Sequence, residues 1–173
     1  MKKVIFTSLM FSFVLFSCKT LNYAKEEDMK EIKLPFEQKD YPDTDTEFYS
    51  IQNAEGESLS ILRARVLSLA KNDLSQKIKT NIISIAEVEL QFKNSNESEQ
   101  FNSKAQSISN QSMAKVILVD TKVLRQKQKD GDDYDFWAVY KIEIDDVVEL
   151  VNQSDLGFSV DTDSFRRKAL IKN

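Results

Sequence analysis

Few residues in this chain have the type or spacing for chemistry, and Cys18 comes first among them. It is the only cysteine in 173 residues, so it has no partner for an internal disulfide and no companions for a thiolate metal cluster. The chain has no histidine, which removes the commonest general base near neutral pH and the commonest metal ligand. Its three glycines, Gly56, Gly131 and Gly157, are too scattered to build a phosphate-cradling loop or a dinucleotide fingerprint. Carboxylates are what remain for acid–base work, and two of them can act as a pair without histidine. Asp130, Asp132, Asp133 and Asp135 form the densest group. Oxygen-rich loops hold hard cations such as calcium. The spacing here does not follow the Asp-x-Asp-x-Asp-Gly order, and a charged hairpin turn accounts for the cluster. No catalytic residue, metal site or cofactor is assigned, and the chain reads as a non-enzyme.

Other candidates are surfaces rather than sites. Arg166-Arg167-Lys168, beside Phe165, Leu170 and Ile171, could rest on anionic lipid or on a partner's acids. A basic end to a C-terminal helix would also suit the helix dipole and mean nothing more. Tyr134 and Trp137 lie beside the expected turn and would form a binding patch if the outer sheet face were open; the N-terminal strand or another subunit could equally cover it. Lys plus Arg number 24 against 28 Asp plus Glu, a net charge of −4. Lys2 and Lys3 are the only charges in residues 1–17, so the remainder carries 22 basic against 28 acidic residues, a net −6. A nucleic-acid binder needs a basic face to displace counterions, and this balance argues against one.

Met1-Lys2-Lys3, an apolar run from Val4 to Phe16, and then Ser17 read as a secretory signal peptide over 1–17. The run is too short for a comfortable spanning helix, which needs about 20 apolar residues. Leu15-Phe16-Ser17-Cys18 resembles a lipobox, the recognition site of bacterial lipoprotein processing, with Phe16 where the stricter form has a small residue. The resemblance implies cleavage between Ser17 and Cys18, and a thioether-linked diacylglycerol, usually with a third acyl chain, on Cys18. Each buried methylene is worth about 0.8 kcal/mol, so several chains anchor firmly where one would not. Lys19 is not the aspartate that retains enterobacterial lipoproteins in the inner membrane, which favours the outer membrane.

Elements follow from periodicity. Residues 18–46 hold both prolines, Pro35 and Pro42, and acid-rich stretches, and are expected to be a flexible tether. Phe48–Ile51 reads as a first strand, ending at Asn53 and Gly56. Ser58 is a plausible cap for a helix in which Leu59, Leu62, Val66, Leu69, Ala70, Leu74, Ile78, Ile82 and Ile85 recur at three- and four-residue steps. Ile82–Phe92 also alternates like a strand; the seven-residue spacing of Ile78, Ile85 and Phe92 favours one long helix to about Lys93. Asn94–Gln100 is turn-like. Asn96 and Glu99 resemble a capping box, and a second helix carries Phe101, Ala105 and Ile108. Val116–Val119 reads as a buried strand, running on through Leu124 to a turn at Asp130-Gly131. Phe136–Ile144 alternates with one face on the core. A short helix, Val147–Val151, follows, capped by Asp145 or Asp146.

These elements predict an α+β, two-layer domain: a long amphipathic helix and a second helix packed on a small antiparallel sheet of about three strands. The expected domain spans 47–152, and 153–173 is a weakly patterned tail with helical capacity. Arg63-Ala64-Arg65 and Ala70-Lys71-Asn72-Asp73-Leu74, the strand Val116–Asp120, the Asp130-Gly131 turn, and Phe136–Ile144 leading to Asp145-Asp146-Val147-Val148 carry a further likeness. Over roughly 48–151 the chain resembles the LPP-twenty-like lipoproteins, typified by the twenty-kilodalton Helicobacter lipoprotein and related to the flagellar lipoprotein FlgP and the N-terminal domain of FlgT. The resemblance implies a non-enzymatic, lipid-anchored protein of the outer membrane or cell surface, with the membrane and an envelope protein as partners and a homo-oligomer allowed. A surface adhesin or ligand-binding module is the alternative.

Overall fold

The computed structural model describes residues 33–89, 95–128 and 131–154, with 156, 163 and 165. All its elements belong to the unit Leu34–Asn173. In chain order they are β1 (Glu47–Gly56), α1 (Leu59–Glu89), α2 (Ser95–Ser112), a single 3-10 turn (Met113–Lys115), β2 (Ile117–Gln128), β3 (Gly131–Glu143) and α3 (Ile144–Gln153). The architecture is α+β in two layers, with the long helix packed on a three-stranded antiparallel sheet.

The sheet order is β1-β3-β2. β2 and β3 form a hairpin, with Ile117 opposite Lys141 at one end and Gln128 opposite Gly131 at the other. A bulge at Leu118/Asp120 shifts the register by one residue. β1 adds to the far side of β3, from Glu47 opposite Glu143 to Gly56 opposite Tyr134. Side chains alternate between faces, so Phe48, Ser50 and Ala54 of β1 point to the helices with Phe136, Ala138, Tyr140 and Ile142 of β3, and all seven are buried. Gly56 closes β1 at φ +150, a conformation other residues rarely adopt.

α1 forms because nothing interrupts it: no Gly or Pro occurs in 31 residues. Its buried stripe is Leu62, Val66, Ala70, Leu74, Ile78 and Ile82, one residue in every four, continued by Ile85 and Ala86. At about 3.6 residues per turn, each four-residue step drifts about 40° around the axis. A flat sheet cannot cover so wide a stripe, so α1 takes two partners, the β1–β3 part of the sheet and α2. Leu69, expected in the stripe, is 40% exposed. It lies one residue off the every-fourth series and faces solvent.

The favoured reading of one long helix through Ile82 holds as far as Glu89, against the strand alternative; Leu90–Asn94 lies outside the described residues. Two local expectations need correction. Residues 95–100 are helical rather than a turn, which puts Asn96 inside α2 instead of at its cap. That stretch is polar but free of Gly and Pro, and Glu97 in the first turn complements the helix dipole. α3 begins at Ile144, so Asp145 and Asp146 sit within its first turn and not at the cap, again where acids suit the dipole.

Both flanks join the domain. Among residues 18–46, expected as tether, the part from Tyr41 onward is tied down by contacts described below. In the tail, Phe165 is fully buried with its ring 6.4 Å from that of Phe48, and Leu156 is buried.

Candidate functional site

The sheet has two edges and one face turned away from the helices, and the chain treats them differently. At the β1 edge every outward group of Glu47 and Tyr49 has a partner. The Thr44 hydroxyl accepts from the Glu47 amide at 3.0 Å, and the Thr44 amide donates to the Glu47 carbonyl at 2.9 Å. Asp43 accepts from the Tyr49 amide at 2.8 Å, and Lys77 of α1 donates to the Tyr49 carbonyl at 2.6 Å. Lys77 and Asp43 also pair at 2.8 Å, both largely shielded from water. Unpaired strand edges recruit other chains, and at Glu47 and Tyr49 this one is closed by the segment before it and by Lys77.

That segment also covers part of the outer face. Tyr41 packs against Tyr49 of β1 and Phe36, each with ring centroids 5.9 Å apart, and its hydroxyl donates to Asp120 of β2 at 3.2 Å. β1 and β2 lie on opposite sides of β3, so Tyr41 crosses β3. Val139, opposite both Ile51 and Asp120, is correspondingly buried on the outer face. Desolvation, and then the bond to Asp120, hold the Tyr41 hydroxyl above the ordinary tyrosine pKa. Beside it, Glu47 accepts from Lys141 and from the Tyr49 hydroxyl.

The β2 edge is different. Among the described residues β2 pairs only with β3. Ile117, Leu118, Val119, Val123 and Leu124 are between 41% and 51% exposed. The reading of Val116–Val119 as a buried strand is therefore corrected. A continuous apolar run suits a strand covered on both faces, but α1 packs on β1 and β3 and leaves β2 beyond the helical layer. The Thr121 amide takes the carboxylate of its own neighbour, Asp120, at 2.7 Å, which marks it as pointing to the open edge rather than into the ladder.

The acid cluster does not converge. Asp135 accepts from the Trp137 indole at 2.6 Å and from the Asn53 amide at 3.2 Å, on the outer face. Asp132 pairs with Arg125 across the hairpin. Asp133 has a partner of its own, and Asp130 lies outside the described residues. Among the described residues no three acids gather as a metal site would require. Trp137 is half-buried beside Asp135, and Tyr134 packs partly against the core on the helix side. The two aromatics thus do not form one patch. Ser17, Cys18, Arg166, Arg167, Lys168, Leu170 and Ile171 all lie outside the described residues.

Comparison of the chain with protein-family models, with curated proteins and with solved structures finds no match in any of the three. Among the described residues no helix is long and apolar enough to cross a membrane. Sequence reasoning passed over Tyr41, Asp43 and Lys77, which close one edge, and Asp120 and Lys122, which flank the outward Thr121 on the other. A signal did exist for β2: an apolar run of buried character followed by Asp120, Lys122 and Arg125, charges that a fully buried strand would not carry.

Proposed function

We propose that this protein is a lipid-anchored component of a bacterial cell envelope, held at the outer membrane through Cys18, with a folded α+β domain that serves a structural or interaction role without catalysis. The observation that carries this reading is the sequence of the first 18 residues: a basic start, an apolar run, and the chain's one cysteine directly after Ser17. The exposed apolar residues of β2 support an interaction role, because such residues gathered along one strand mark contact surfaces. The likeness to LPP-twenty-like lipoproteins points the same way. The partners on this reading are the membrane, through the lipid, and an envelope protein.

Expression of the parent and of Cys18→Ser in a bacterium with lipoprotein processing tests the anchor. The parent should fractionate with membranes and yield an N-terminal peptide heavier by its acyl groups. Cys18→Ser should remain unprocessed and carry no lipid. A Cys18→Ser chain that is cut and partitions as the parent does would end the proposal.

A further inference from the structure

We infer that the cleft between α1 and the end of α2 binds the C-terminal end of a peptide, with the terminal carboxylate on Lys71 and an apolar last side chain against Leu67 and Met113. The inference is independent of the lipid anchor and of the sheet edges. The cleft opens to solvent where the two helices meet and has a volume of about 480 Å³. Small-ligand sites run from about 300 to 1,000 Å³. Its lining sorts along α1. Ala64 and Leu67, with Met113 of the 3-10 turn, make an apolar end, and Lys71 and Asn72, with Asn110 of α2, make a polar end. Leu67 and Lys71 are four residues apart, about 6 Å along the axis, so one ligand residue can reach both.

Charge selects the ligand. The lining carries one cation and no acid. Lys71 is partly buried and forms no ion pair among the described residues, so its ammonium is available to a ligand. The helix crossing also holds Asn110 in one orientation. Ser75 and Ser109, both buried, meet at 3.0 Å, and the Ser109 hydroxyl donates to the Gln106 carbonyl at 3.0 Å. The Gln106 side-chain amide donates to the Asn110 side-chain oxygen, also at 3.0 Å. With its oxygen engaged, Asn110 has its NH2 to offer. An ammonium beside an amide NH2 suits a carboxylate, because hydrogen bonds to a charged acceptor are the stronger ones. Asn72 is exposed and can both donate and accept, which matches the N–H and C=O of the peptide unit before a chain end. A bare anion would use the donors and leave the apolar end in water. A peptide terminus uses both.

A short peptide tests the site. The isotopically labelled full chain, in a nonionic detergent, is titrated with N-acetyl-alanyl-leucine and followed by amide chemical shifts. Shifts should concentrate in residues 64–75 and 110–113 and saturate at millimolar peptide or below. The C-terminal amide of the same dipeptide lacks the charge and should bind about tenfold more weakly, as should the free acid to Lys71→Gln. Lys79→Gln removes another partly buried charge of α1, outside the lining, and should bind as the parent does. If Lys71→Gln loses the parent's circular dichroism, the comparison of acid with amide on the parent decides alone. Acetate binding as tightly as the dipeptide would show an anion subsite with no use for a peptide, and would overturn the inference. An amide that matches the acid, shifts centred away from the cleft, or no saturable shift would each do the same.

Discussion

Glu47 sits at the start of β1 and accepts from two neighbours on the outer face, Lys141 of β3 and the hydroxyl of Tyr49. The bond from Lys141, then that from Tyr49, hold its carboxyl below the ordinary glutamate range, and the same bonds raise Lys141 and Tyr49 above theirs. All three shifts favour one charge state: anionic Glu47, cationic Lys141, neutral Tyr49. A carboxyl depressed in the folded state binds its proton less readily there than in the unfolded chain. Its contribution is therefore present above the unfolded value, about 4.3 for glutamate, and is lost as pH falls through the lower folded value. Glu47→Gln should lower the urea midpoint at neutral pH and flatten the acid-side decline, so that the two proteins converge as the parent's Glu47 is protonated. Parent and variant curves running parallel from neutral pH down to pH 3 would show that Glu47 contributes nothing to the acid response.

α1 shows how far periodicity carries an element. Its existence, its start after Ser58 and most of its buried stripe were legible, because apolar residues at three- and four-residue steps leave little else to form. Leu69 was not. It satisfies the spacing rule as well as Ala70 does, and only the placement of α2 and the sheet decides which faces in. Replacing each side chain separates the two readings. Ile78 is fully buried between the layers, so Ile78→Ala should cost about 2–5 kcal/mol. Leu69 keeps much of its surface in water, and Leu69→Ala should stay within about 1 kcal/mol. Urea unfolding of both variants measures the difference, and equal losses would mean that Leu69 is packed in a way its exposure does not show. β2 failed for a related reason. Its apolar residues name a strand correctly, but whether such a strand is covered depends on how wide the helical layer is, and no local pattern encodes that width.

At the scale of the whole molecule, the two-layer α+β plan follows from element order, but the way described residues outside those elements return to it does not. Tyr41 over β3, Asp43 at the β1 edge and Phe165 on Phe48 are single anchors in stretches without periodicity, so nothing in their spacing announces them. They decide where the domain ends. Phe165 lies nine residues beyond Leu156, and both are buried, with Phe165 against Phe48 of the first strand. If that return belongs to the cooperative core, removing the ring opens a cavity beside Phe48, with a cost near that of other buried phenylalanines, about 3–5 kcal/mol. Phe165→Ala should then lower the denaturant midpoint with an unchanged slope, since the whole domain still unfolds as one unit and exposes the same surface. A loss below about 1 kcal/mol would mean instead that the segment docks weakly on a core that closes without it. Phe48→Ala supplies the complementary measurement. Because the two rings share one contact, the double variant should cost less than the two single losses together, and strict additivity would show that the rings do not support each other.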